Sequence, residues 1–153
     1  IGCIIHGDPG TGNADLRRAA IERTLREHGL PANDYLIHFS GPGTERYVDL
    51  IGKLLRQNVD ALFCPGGNAG IVSLYAFSLF NKRIPDDISL IATEQTFFSE
   101  YAVPPQTTVT QDYKAVAAAV ADVIEARIDG RRAEPSTVLP YRLIKRESMR
   151  VRG

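Results

Sequence analysis

Short apolar runs alternate along this chain with longer stretches whose apolar residues recur at helical spacing, and polar, glycine-rich turns separate the two. Ile1 to His6 reads as a first strand, the Gly7 to Gly12 loop as a polar turn, and Asn13 to His28 as a helix closed by Gly29 at its C-cap. Tyr35 to Phe39 and Ala61 to Cys64 read as strands, with a helix from Thr44 to Gln57 between them. A helix from Asn68 to Asn81 follows, then Pro85 and the Asp86-Asp87 pair stop the helical pattern ahead of the apolar strand Ile88 to Ala92. Strand and helix in strict alternation predict an α/β fold of three layers, a parallel sheet with helices on both faces.

The pattern changes after Pro105. Thr107 to Thr110 reads as a crossing strand and Asp112 to Asp129 as an Ala-rich helix with Val116, Val120, Val123 and Ile124 on one side. A polar linker from Gly130 to Pro135 leads to a last strand, Val138 to Lys145. The Asn68 to Asn81 helix is apolar nearly all round, with Ile71, Leu74, Tyr75, Phe77 and Phe80 among its residues, so it needs cover on more than one side. That cover is either more of the same chain or a second subunit.

Composition narrows the class. The chain has 153 residues, enough for a packed core, and 18 basic residues balance 18 acidic ones, so no excess charge is available to neutralise phosphates. No apolar run approaches the roughly 20 residues of a membrane helix, and no basic-then-apolar leader is present. Cys3 and Cys64 fall in predicted buried strands, where free cysteine behaves as a small hydrophobe, so a reduced, cytoplasmic setting is expected. The opening core strand, without an initiating Met, suggests a fragment of a longer protein.

Enzyme chemistry fits poorly. Gly7 and Gly12 have the outer spacing of a phosphate loop, yet Asn13-Ala14 stands where Lys and then Ser or Thr are required. His6, His28 and His38 lack metal-ligand spacing, and no serine occupies a nucleophile elbow, so neither a metal nor a cofactor is expected. Binding chemistry fits better. Ligands of open α/β sheets sit beyond the carboxyl ends of the strands, where Glu94 follows a strand and Arg17 follows the first loop. A guanidinium there can make paired hydrogen bonds, although a solvated helix arginine and a surface turn acid are the plain alternatives.

Two blocks carry a family resemblance: Arg-Ile-Pro-Asp-Asp-Ile-Ser-Leu-Ile followed by Pro-Pro-Gln-Thr-Thr-Val, and Leu-Pro-Tyr-Arg-Leu-Ile-Lys-Arg-Glu-Ser near the end. In residues, order and separation they resemble the LacI/GalR family of transcription regulators. The resemblance implies the C-terminal lobe of a type I periplasmic-binding-protein-like sensor over residues 1–106. A strand and helix over residues 107–134 would belong to the other lobe, and residues 135–153 would be a return strand and tail. It further implies a homodimer, a sugar or other small polar metabolite as effector, and DNA contact only through a helix-turn-helix absent from this chain. An extracytoplasmic solute-binding protein of the same fold is the alternative class.

The same resemblance places Arg17, rather than Arg18, on the family's effector-contacting arginine, and Glu94 on its effector-binding aspartate, one methylene longer here. Asp8, Gly66, Gly67 and Asn68 complete the expected effector set. Phe39 corresponds to a ligand-stacking aromatic, whereas the residues alone favour packing in the core or loop. Gly66-Gly67 stands where many family members carry Asn-Asp, so only backbone groups are offered there and the usual sugar-recognition set is incomplete. The subunit contact is expected at Ile71, Leu74 and Tyr75, together with Tyr101 and Val103.

Overall fold

The computed structural model describes residues 1–34, 36–41, 45–66, 68–94, 97–132 and 137–150. Tyr35, Thr44 and Gly67, which the sequence reading assigned to a strand, a helix and the binding set, lie outside them. The elements are β1 (Gly2–Ile5), α1 (Gly12–Glu27), β2 (Ile37–Phe39), α2 (Glu45–Arg56), β3 (Ala61–Cys64) and α3 (Ala69–Leu79). They continue with β4 (Ser89–Thr93), α4 (Phe97–Tyr101), β5 (Thr107–Gln111), α5 (Tyr113–Ile128) and β6 (Tyr141–Ile144). Six strands form one sheet in the order β2-β1-β3-β4-β5-β6.

The strands from β2 to β5 are parallel, and β6 runs antiparallel to β5 with Thr108 opposite Ile144 and Gln111 opposite Tyr141. The expected parallel sheet thus carries one antiparallel edge strand, to which the chain returns after α5. This strand also begins at Tyr141 rather than Val138, and its residues are largely exposed, as befits a sheet edge. The expected boundary at residue 107 falls inside the sheet, because β5 pairs with β4 on one side and β6 on the other.

Alternation along the strands sorts the core into two faces. Ile4, Leu62, Cys64 and Leu90 meet Tyr47, Leu50, Ile51 and Leu54 of α2 and Ala69, Ala76 and Phe77 of α3. Cys3, Ile5 and Ile37 meet Ala14 and Leu25 of α1 on the opposite face. Because α1 covers only part of that face, Ala61, Phe63 and Ile91 line an open groove of about 770 Å³ beside it. Burial pushes both cysteine thiols up to about 12, so neither forms a thiolate near neutral pH.

Helix ends follow local chemistry. Gly29 at φ +65 ends α1 with Leu30 N–H donating to the Leu25 carbonyl and Gly29 N–H to that of Arg26. Asn81 at φ +51 ends the α3 segment in the same way, its next residue Lys82 donating to Phe77. At the other end of the chain, the Asp112 carboxylate accepts the N–H groups of Lys114 and Ala115 and so caps α5.

α3 is buried along Ala69, Gly70, Ser73, Ala76 and Phe77, while Tyr75 and Leu79 are exposed. Leu74, expected at a subunit contact, packs partly against the core, and Ile71 is half-buried. The exposed apolar surface instead runs from Tyr75 and Leu79 to Phe97, Phe98, Tyr101 and Val103, the last 92% exposed. α4 has no counterpart among the elements expected from the sequence pattern. The rings of Phe97 and Tyr101 stack within it at 4.9 Å.

Candidate functional site

The carboxyl ends of the parallel strands form a laced edge. His6 N–H donates to the Pro65 carbonyl, Gly7 and Gly41 exchange backbone hydrogen bonds, and Glu94 N–H donates to Val109. Gly66, at φ +108, donates its N–H to the Thr93 hydroxyl at 2.7 Å, which ties the end of β3 to the end of β4. This edge is where such sheets bind ligands.

Arg17 and Arg18 take opposite directions from α1. Arg18 stacks over the Phe39 ring at 5.6 Å, donates to Glu22 at 2.7 Å and pairs with Asp34. Arg17 turns toward the strand ends instead: a Cβ placed on Gly66 would lie 3.5 Å from its Nη1 and 3.1 Å from the His6 Cβ. A side chain at residue 66 would therefore fill the space between His6 and the guanidinium. Phe39 packs with Ile5, Ala14 and Ile37 under Arg18, away from Arg17.

Asp8 lies on the far side of the β1 turn. A Cβ on Gly41 would sit 3.4 Å from both Asp8 Oδ1 and Arg46 Nη1. Arg46, from the first turn of α2, was missed because a helix-start arginine has no pattern to betray where it points. Beneath it Tyr47 is fully buried, and its hydroxyl has no hydrogen-bond partner among the described residues. Burial pushes the Tyr47 phenol up, with Ser40 and the charge of Arg17 opposing. Asn68 starts α3 exposed and makes no side-chain cap.

The Gly7 to Gly12 loop is folded upon itself. Asp15 accepts the Gly10 N–H at 3.1 Å, and the Thr11 hydroxyl and N–H both donate to the Asp8 carbonyl. These donors are thus consumed internally rather than presented to a phosphate.

Glu94 is engaged by a partner far along the chain, Arg146. Its side chain turns back along β5, where it is buried and accepts from the Thr108 hydroxyl, from Arg146 Nη1 at 3.0 Å and from Arg146 Nη2 at 3.3 Å. Arg146 Nη1 also donates to the Gln106 carbonyl at 2.7 Å. Among the described residues Oε2 thus accepts two hydrogen bonds and Oε1 one. A second cavity of about 750 Å³ opens past Glu94, between Thr110, Gln111, Lys114 and Arg142. No group of three or more metal-ligating side chains occurs among the described residues.

A family model for a periplasmic binding protein-like domain matches residues 1–149. The chain is 31% identical over 150 residues to the HTH-type transcriptional regulator DegA of Bacillus subtilis, covering 97% of this chain and 44% of that protein. It is 30% identical over 135 residues to the regulator CelR of Thermobifida fusca, covering 86% of this chain and 40% of that one. In structure it superimposes on a CelR–cellobiose complex with a TM-score of 0.80 and 25% identity, over 95% of this chain and 46% of that one. The Escherichia coli repressor AscG gives 0.83 at 20% identity, over 96% and 54%. The chain belongs to the periplasmic-binding-protein-like domain family, in the form carried by LacI/GalR-type transcription regulators. These relatives are regulators rather than enzymes, and the chain spans less than half the length of DegA and CelR.

Proposed function

We propose that the chain is the C-terminal part of an effector sensor in a dimeric LacI/GalR-type regulator, acting in the cytoplasm. A small polar metabolite is bound at the carboxyl edge, between this sheet and a second lobe. The observation that carries the reading is Arg17, turned toward the strand ends with its Nη1 3.5 Å from where a Cβ on Gly66 would lie. Binding between lobes changes their closure, and the resulting shift in DNA affinity is bounded by the effector's differential affinity for the two closure states. In this reading Glu94 holds the end of β4 through Arg146.

The second lobe is also the natural cover for α5. Tyr113, Val120, Ile124 and Ile128 are more than half exposed, and Ala126 is the helix's buried residue. The relatives CelR and DegA extend well beyond the matched region, which leaves room for such a lobe.

Effector titrations of operator binding by the full-length regulator test the proposal. Arg17→Ala is expected to raise the required effector concentration about 10- to 100-fold while DNA binding without effector is retained, because a buried ligand group loses its partner. An unchanged titration would remove Arg17 from the site. No effector response across a broad metabolite panel would refute the sensor reading itself.

Self-association is expected through the exposed surface of α3 and α4. Contiguous apolar surface of this kind is uncommon on soluble monomers and marks an interface. Tyr75→Glu combined with Tyr101→Glu should convert the dimer to monomer in sedimentation while the circular dichroism spectrum is kept. A wild-type protein that sediments as a monomer at micromolar concentration would rule this out.

A further inference from the structure

Charges along the carboxyl edge do not balance locally. Glu94 is matched by Arg146, and Asp8 Oδ1 and Arg46 Nη1 lie within 3.4 Å of one point beside Gly41. Arg17 is half-buried, yet it has no carboxylate within ion-pair distance among the described residues. Its neighbour at the end of β3 is Gly66, which has no side chain and supplies no charge. A partly desolvated guanidinium without a counter-charge is costly, whereas a ligand that brings the missing charge gains a strong, directional hydrogen bond.

Two further features belong to the same place. Tyr47 is fully buried, and its hydroxyl, which has no partner meeting hydrogen-bond geometry among the described residues, can donate to an anion or a hydroxyl. Arg46 stands on the other side of the β1 turn, separated from Arg17 by the strands that end at Gly41 and Gly66, about two strand spacings or ~10 Å. The two guanidiniums therefore flank one small molecule rather than converge on one atom.

We propose that the effector carries an anionic group, a carboxylate or a phosphate ester, which lies beside Arg17 at the end of β3 while Arg46 faces the rest of the molecule. This rests on the effector reading given above and narrows it to acidic rather than neutral polyhydroxyl compounds. His6 lies beside the same strand end. On the Glu94 side of the edge the carboxylate is already engaged by Arg146 and Thr108, which leaves it less able to chelate a pair of hydroxyls.

The test uses the full-length regulator and four probes: glucose, glucuronate, glucose 6-phosphate and inorganic phosphate, each read by thermal shift and calorimetry. At least one anionic probe should bind about tenfold or more tightly than glucose, with affinity that falls as salt rises. Preference for glucuronate or for glucose 6-phosphate decides between carboxylate and phosphate ester. Arg17→Gln should abolish the anion preference, Arg17→Lys should restore part of it, and Arg46→Gln should weaken it. The control Arg23→Gln, on the exposed flank of α1, should leave it unchanged. Glucose binding as tightly as every anion would overturn the charge inference while leaving the sensor reading in place. So would anion binding that survives Arg17→Gln, or the failure of all three anions to bind at millimolar concentration.

Discussion

Gly70→Ala is expected to lower stability by about 2–3 kcal/mol, a large loss for the smallest possible side chain. A Cβ at this position would lie 2.7 Å from Gln106 Oε1 and 3.0 Å from the Ala92 Cβ, closer than such atoms approach in folded proteins. Neither neighbour can retreat. Gln106 is fully buried and donates its Nε2 to the Gly70 carbonyl at 2.9 Å, and Ala92 belongs to the interior strand β4. The added methyl must therefore either push α3 off the sheet or break the Gln106 hydrogen bond.

Gly52→Ala supplies the control for this argument. Its new Cβ would meet the Phe80 ring tip at 2.9 Å, but Phe80 is partly exposed and can swing outward. Helix propensity favours alanine at both sites, so the sign of the difference between them reports packing alone. Urea midpoints should show Gly70→Ala well below wild type and Gly52→Ala much nearer to it, with similar m values. Equal losses at the two positions would mean that the interface between α3 and β4 is softer than the distances imply.

The same packing explains what the sequence could reveal about α3. Hydrophobic periodicity finds which face is buried only where the other face is polar, and here both faces are apolar. Close approach to the sheet selects Ala69, Gly70, Ser73 and Ala76 for the inside, leaving larger Tyr75 and Leu79 outside. Size, not hydropathy, separates the faces here, except that the large Phe77 is also buried, in the core with α2. Strands and caps were easier to read, since β3 and the Gly29 cap depend on short local patterns.

The direction of β6 was hidden for another reason. A strand that follows a polar linker carries no mark of its orientation, and the resemblance spoke only of a return to the sheet. At the candidate site, the position after the first loop put an arginine near the strand ends, and the family resemblance singled out Arg17 over Arg18. Arg46 and Arg146 could not. Each acts on a group far away in the chain, Arg146 on a carboxylate 52 positions earlier, and neither helix nor strand period encodes such a pairing.

That long-range pair supports the other large effect. Arg146→Met is expected to destabilise the domain by about 3–5 kcal/mol, because it leaves the Glu94 carboxylate buried without its cation. The side chains of Arg146 and Glu94 are 17% and 6% exposed, so water cannot make good the loss. Two further contacts go with it, since the Gln106 carbonyl and the Thr108 hydroxyl each lose the Arg146 donor, and Thr108 becomes the remaining donor to Glu94 among the described residues. If the stranded charge is the cause, adding Glu94→Gln to Arg146→Met should recover a large share of the stability, whereas Glu94→Gln alone should be milder than Arg146→Met. Denaturation of the four proteins in this double-mutant cycle gives the coupling directly. A coupling near zero would mean that the two residues contribute independently, and the end of β4 would then be held by bonds such as those to Val109 and Gly66 rather than by the ion pair that anchors the candidate site.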